Sequence, residues 1–128
     1  MTNNFVLIRE FQQVGQDERG LTSAFQLPRH QHEFIYITRK KGSISGNTYH
    51  VGKTPATNPK LFILLTGKIL LSYRKVGDNI KHQNEIVKPS IIQIMPYVTH
   101  QVEALEDVVI LECNSIQDIQ QDRTKEMV

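Results

Sequence analysis

The stretch LFILLTGKILLSYR, Leu61 to Arg74, holds two dense apolar runs on either side of a Thr66-Gly67 pair. Both runs have strand-like lengths, and Gly67 supplies the backbone freedom that a tight hairpin between them needs. Similar runs recur on both sides. Upstream lie FVLIREF (Phe5 to Phe11), LTSAFQL (Leu21 to Leu27) after a DERG turn, FIYIT (Phe34 to Thr38) and SISGNTYHV (Ser43 to Val51). Downstream lie IIQIM (Ile91 to Met95) and VVILEC (Val108 to Cys113). Gly, Pro, Asn or Asp separate these β-rich runs. VGDN (Val76 to Asn79) is a second hairpin candidate, and the two prolines of GKTPATNP (Gly52 to Pro59) keep that loop out of the sheet. Eight or more short strands predict an all-β sandwich or barrel, a single domain over residues 1–115. Residues 116–128 are expected to form a short helix or a polar tail. Ser115 is a candidate cap, with Ile116 and Ile119 three apart.

At 128 residues the chain supports one buried core. Its 39% hydrophobic and 22% charged residues are ordinary for a soluble globular protein. A net charge of +2 gives no strong pull toward nucleic acid or membrane, while an anionic small molecule needs only local positive charge. Cys113 is the single cysteine, so no intrachain disulfide forms, and its place at a strand end suggests a half-buried, inert thiol. The first residues do not read as a secretory signal, and no apolar run has the length of a membrane span, so a cytoplasmic location is expected.

Order and spacing add a resemblance. Five residues separate Gly42 from Thr48, which is followed by Tyr49 and His50; six separate Lys60 from Gly67; Pro96 then leads to Thr99 and His100. This resembles the cupin pattern, a jelly-roll barrel whose first motif is Gly, five residues, His-x-His, then a Glu, six residues and Gly, and whose second motif brings a third His after a Pro-Gly turn. The resemblance spans about residues 34–115. SGNTYH (Ser45 to His50) and MPYVTH (Met95 to His100) look most like the bacterial sugar-nucleotide ketoisomerases, epimerases and surface-polysaccharide enzymes, and the DERG turn (Asp17 to Gly20) resembles one near the start of deoxysugar enzymes. The departures are specific. Thr48 stands in place of the first His, Lys60 of the Glu, Ser45 of an Arg, and Tyr97 of the turn glycine.

In cupins the three His and the Glu commonly hold one metal. Here two ligand positions survive, and a lysine ammonium offers no lone pair, so no metal and no other cofactor is expected. The resemblance implies a metal-free enzyme acting on a nucleotide sugar in deoxysugar or surface-polysaccharide synthesis. His50 and His100 are then the proton-transfer candidates. Tyr36, Thr48, Lys60 and Tyr97 are candidate ligand contacts: a tyrosine (Tyr49 being a third candidate) as acid, and Lys60 polarising a carbonyl or holding an anion. Lys53 and Arg39 replace only partly the bidentate grip of the missing Arg on a diphosphate. A homodimer is a further implication of the resemblance. The alternative is a non-catalytic cupin, a binding or assembly module whose site has decayed. His30 and His32 of RHQHE read as a solvated edge or loop, Tyr73 as a sheet-packing residue, and Glu106-Asp107 as a hairpin turn.

Overall fold

The computed structural model describes residues 4–128. Its strands in chain order are β1 (Val6–Glu10), β2 (Gln12–Asp17), β3 (Gly20–Ala24), β4 (Ile35–Arg39), β5 (Ile44–Tyr49), β6 (Lys60–Thr66), β7 (Ile69–Lys75), β8 (His82–Ile86), β9 (Ser90–Ile94), β10 (Val98–Ala104), β11 (Val108–Glu112) and β12 (Thr124–Lys125), with one short helix, α1 (Ile116–Gln121), before β12. Two five-stranded antiparallel sheets face each other, in the orders β1-β9-β6-β11-β4 and β12-β5-β10-β7-β8, and β2 and β3 pair separately. The architecture is all-β, as the strand runs predict. No helix among the described residues is long and apolar enough to cross a membrane.

The β6 run is apolar at consecutive positions because both its faces are covered. Phe62 and Leu64 point into the main core with Ile69, Leu71, Tyr73, Ile92 and Ile94. Leu61 and Ile63 point outward and join Ile91 and Cys113 under the partly buried Phe11 and Leu27. The expectation of a hairpin at Thr66-Gly67 is corrected by this arrangement. β6 pairs with β9 and β11, whereas β7 pairs with β10 and β8, so the turn carries the chain from one sheet to the other. Local apolarity cannot distinguish the two, since a sheet-to-sheet corner and a hairpin need the same tight turn. Gly67 is required there: its φ is 89°, and a Cβ would sit 2.4 Å from the Asp107 carbonyl oxygen. VGDN lies within the connection between β7 and β8, which do pair with each other.

Four strands were not among the predicted runs: β2, β8, β10 and β12. Their sequences, such as QQVGQD and HQNEI, are too polar to stand out, and pairing with neighbours makes them strands. Residues 116–128 split between a helix and an edge strand. Ser115 caps α1, its hydroxyl accepting from Asp118 N while Asp118 reaches back to the Ser115 backbone. β12 then pairs with β5, Thr124 opposite Tyr49 and Lys125 opposite Thr48.

Gly67→Ala is expected to cost about 2 kcal/mol or more, because positive φ and a backbone clash combine. Gly77→Ala, at φ 93° with open space around its Cβ position, should cost about 1 kcal/mol from backbone strain alone. Urea denaturation of the two variants checks the difference.

Candidate active site

The main core fills the space between the sheets on the β1, β9, β7 and β8 side. On the side of β4, β11, β5 and β10 a cavity of about 340 Å³ remains. Alternation along β11 places Val108, Ile110 and Glu112 on this cavity, and β6 contributes Lys60 and Phe62. The opposite wall carries Thr48, His50 and His100. One end is therefore polar and deep and the middle apolar, while the exposed Arg39, Arg123 and Lys125 add cationic groups at the rim. Four cationic side chains line the space against a single carboxylate, which suits an anionic ligand.

His50 and His100 meet because Gly46 lets β5 close on β10. A Cβ at Gly46 would lie 2.7 Å from the His100 carbonyl oxygen, and the register shifts at His100/Gln101 beside it. The two imidazole centroids are 5.7 Å apart at 35°, both side chains buried. His50 Nδ1 faces the Asp122 carbonyl, and His100 Nδ1 lies 3.1 Å from the Val98 carbonyl. A carbonyl only accepts, so each Nδ1 carries the proton and each Nε2 is left with its lone pair. For His50, that Nε2 is buried without a partner among the described residues. Burial, then the Lys60 ammonium, hold both rings below their ordinary pKa, and His100 is pushed down to about 3. Both imidazoles are neutral at pH 7.

Asp122 organises the loop after His50. Its carboxylate accepts from the backbone N–H of Val51 (2.8 Å), Gly52 (2.9 Å) and Lys53 (2.7 Å) and from the Thr57 hydroxyl (2.7 Å). Burial would push this carboxyl up, but the four donors prevail and bring it down to about 2. Asp122 was not singled out in the sequence, where it sits in a polar segment; its role rests on its carbonyl and on contacts 65 or more residues away, which no local pattern reports.

Lys60 reaches the cavity as its alignment with the cupin glutamate implies, but its ammonium is engaged. Nζ donates to Glu112 Oε1 at 3.1 Å in an ion pair whose side chains are 7% and 18% exposed. Glu112 was also missed. Its signal was present, since it shares strand parity with the buried Val108 and Ile110 and is thereby turned inward. With two imidazole lone pairs, an ammonium beside them and the carboxylate bound to that ammonium, the donor set does not fit a metal ion. No cluster of three or more His, Cys, Asp or Glu with metal-holding geometry occurs among the described residues.

The remaining candidates divide. Thr48 lines the cavity, buried and opposite His100 in register. Tyr36 is 67% exposed, because β4 turns Ile37 inward and Tyr36 outward. Tyr97, at φ 62°, holds a glycine-like conformation and stacks on Tyr49 with centroids 5.9 Å apart, outside the cavity lining. Lys53 likewise lies outside the lining, with Nζ 3.4 Å from the Gln121 carbonyl. His30 and His32 are exposed. Their neighbour Arg29 donates to four carbonyls, of Pro55, Ala56, Pro59 and Cys113, and so ties the two segments that flank Lys60 and Glu112. Cys113 is fully buried, more than its strand-end position suggests, and burial pushes its thiol up to about 11.

No protein-family model and no curated protein matches the chain. Solved structures do. A double mutant of the sugar 3,4-ketoisomerase QdtA from Thermoanaerobacterium thermosaccharolyticum, in complex with TDP, superposes with TM-score 0.72 at 19% identity, covering 98% of this chain and 90% of that one. The chain has the cupin fold. The capsular polysaccharide assembling protein CapF from Staphylococcus aureus gives TM-score 0.63 at 22% identity over 92% of this chain and 33% of that one. A double mutant of ChmJ, a 3'-monoepimerase from Streptomyces bikiniensis solved with dTDP, gives 0.68 at 11% identity over 88% and 64%. The predicted cupin jelly roll is thus the observed fold, and the structures it resembles include nucleotide-sugar isomerases and epimerases.

The buried His100 shapes the protein's acid response. Between pH 6.5 and about 3 the unfolded chain binds a proton at residue 100 that the folded chain does not. Stability is therefore full above pH 6.5 and falls as the pH drops, by about 1.4 kcal/mol per pH unit from this group. Urea midpoints at pH 7.5 and 5.0 measure the loss, and His100→Asn should flatten the slope.

Proposed function

We propose that the protein is a cytoplasmic, metal-free cupin that binds a nucleotide-linked keto-sugar in this cavity and moves a proton on it, with His50 as the base. The observation that carries the reading is the buried, unpartnered Nε2 lone pair of His50 in the cavity wall. Its Nδ1–H is held by Asp122, so the lone pair is aimed and its tautomer set. Nε2 takes the proton from a hydroxyl-bearing carbon beside the ketone; the C–H electron pair becomes the C=C of an enediolate, and the carbonyl π pair moves onto its oxygen beside the Lys60 ammonium. For the isomer, the hydroxyl proton passes to that oxygen and the imidazolium returns its proton to the former carbonyl carbon. For the epimer, water protonates the first carbon from the opposite face as the ketone re-forms, and the imidazolium gives its proton to water.

Two N–H groups of Lys60, beyond the one given to Glu112, are its means of polarising that carbonyl. His100, neutral and next to His50, keeps a second positive charge away from the base. The exposed Tyr36 and Tyr97 have no part in this scheme as the side chains stand. Arg39, Arg123 and Lys125 supply charge for the diphosphate. Thr48 in place of a second base favours the other reading, a cupin that binds the nucleotide sugar without turning it over.

A single mutant of the QdtA 3,4-ketoisomerase is solved in complex with TDP-4-keto-6-deoxyglucose, which makes that compound a suitable probe. Incubation in D₂O, followed by proton NMR, should show deuterium entering carbon next to the ketone. His50→Asn should slow this at least about 100-fold. Binding of TDP without any exchange would select the non-catalytic reading.

A homodimer forms part of the same proposal. The β2–β3 hairpin is exposed almost throughout, including Val14 and Leu21, and a lone two-stranded sheet is marginal in water. The free edge of β4, beside the cavity, is a place where a second copy's hairpin can pair. Light scattering should give twice the 14.7 kDa chain mass.

A further inference from the structure

The Lys60–Glu112 pair uses only half of the carboxylate. Oε1 accepts from Lys60 Nζ at 3.1 Å, while Oε2 is buried and finds no partner among the described residues. Such an oxygen forfeits its hydrogen bonds to water on folding and is costly to leave unmet. The other lone acceptor in this cavity, His50 Nε2, sits on the opposite wall, and Glu112 acts electrostatically on that ring. The residues lining the deep end of the cavity therefore include two buried acceptors with no donor given to either among the described residues. The cationic side chains at the exposed rim, Arg39, Arg123 and Lys125, are donors only. A ligand that completes both regions carries hydroxyl hydrogens at one end and anionic oxygens at the other.

We propose that Glu112 is a specificity-determining residue: its free Oε2 accepts a hydrogen bond from a ring hydroxyl of the bound sugar, and Lys60 holds the carboxylate in position. The inference rests on the nucleotide-sugar reading and sharpens its substrate class, to sugars that keep a free hydroxyl at the buried end. Arg29 supports the geometry at one remove, since it binds the carbonyls of Pro59 and Cys113, the residues adjoining Lys60 and Glu112 in the chain. A site built around a buried acceptor rejects a ligand that lacks the matching donor, because binding then seals the acceptor off unmet.

The test is calorimetric binding of TDP, TDP-glucose and the singly deoxygenated TDP-glucose analogues, which reads recognition without turnover. TDP-glucose should bind at least about tenfold more tightly than TDP, and one deoxy analogue should lose at least about tenfold of that gain. In Glu112→Gln the gain of TDP-glucose over TDP should shrink and the same analogue should lose its disadvantage. Because that variant leaves the Lys60 ammonium buried and alone, the double variant Lys60→Met/Glu112→Leu, which removes both charges, provides a second measurement: the same analogue should again lose its disadvantage relative to TDP-glucose, whatever the change in TDP affinity. TDP binding with no preference for the hydroxylated sugar overturns the role of Glu112 while leaving the nucleotide cleft standing. Failure to bind TDP or TDP-glucose at all overturns both. A deoxy penalty that persists unchanged in both variants assigns the hydroxyl to another residue and sinks the proposal.

Discussion

The buried carboxylate of Asp122 holds the inner end of the cavity together. Three consecutive backbone N–H groups, of Val51, Gly52 and Lys53, converge on it, and such a concave array of donors favours the charged form strongly. The same residue turns its carbonyl to His50. One residue thus fixes both the path of the chain leaving β5 and the proton on the imidazole that ends that segment. β12 adds a second constraint by pairing with β5, and Thr99 donates to the Glu126 carbonyl beside it. Residues 115–128 are in this sense part of the site's wall.

The Lys60–Glu112 pair is better understood as a constraint than as a source of stability. Bringing two charges out of water costs about as much as their attraction returns, so a well-packed apolar pair in their place is often no less stable. Its presence in a cavity lined also by Phe62 and Ile110 fits the ligand role proposed for it. It also explains how a lysine can occupy the position that the cupin motif gives to a glutamate. The acid has not vanished from the barrel; it stands on the neighbouring strand β11, which pairs with β6.

Much of the frame could be read directly from residue patterns. Apolar runs marked most of the strands, Ser115 marked the helix start, and motif spacing placed Thr48, His50, Lys60 and His100 in one cavity. Glu112 and Tyr36 were legible from strand parity, whereas the rest is non-local. The path through Gly67 depends on which sheet each run joins, and polar strands such as β8 acquire their structure from neighbours. Asp122 works through a carboxylate whose donors lie 65 or more residues away and through a carbonyl, an atom every residue possesses, so no local pattern marks it. Tyr36 and Tyr97 fell outside the cavity for opposite reasons: Tyr36 by simple strand parity, Tyr97 because a left-handed turn aims its ring at Tyr49.

The departures from the cupin motif form a consistent electrostatic set. With the acid on β6 replaced by an ammonium, a metal dication has no place, and two nearby protonated imidazoles would add to an already positive cavity. Burial and Lys60 instead keep both rings neutral, which is the state in which an Nε2 lone pair can accept a proton. Glu112 then balances the ammonium locally, and the uncompensated cationic charge lies with the exposed Arg39, Arg123 and Lys125. A ligand with an anionic end and a neutral, hydroxylated end meets opposite demands at the two regions, and only one orientation satisfies both. On the proposed reading, neutral imidazoles inside and fixed cations outside make binding direction a consequence of charge placement, with the reactive carbon brought to the histidine end.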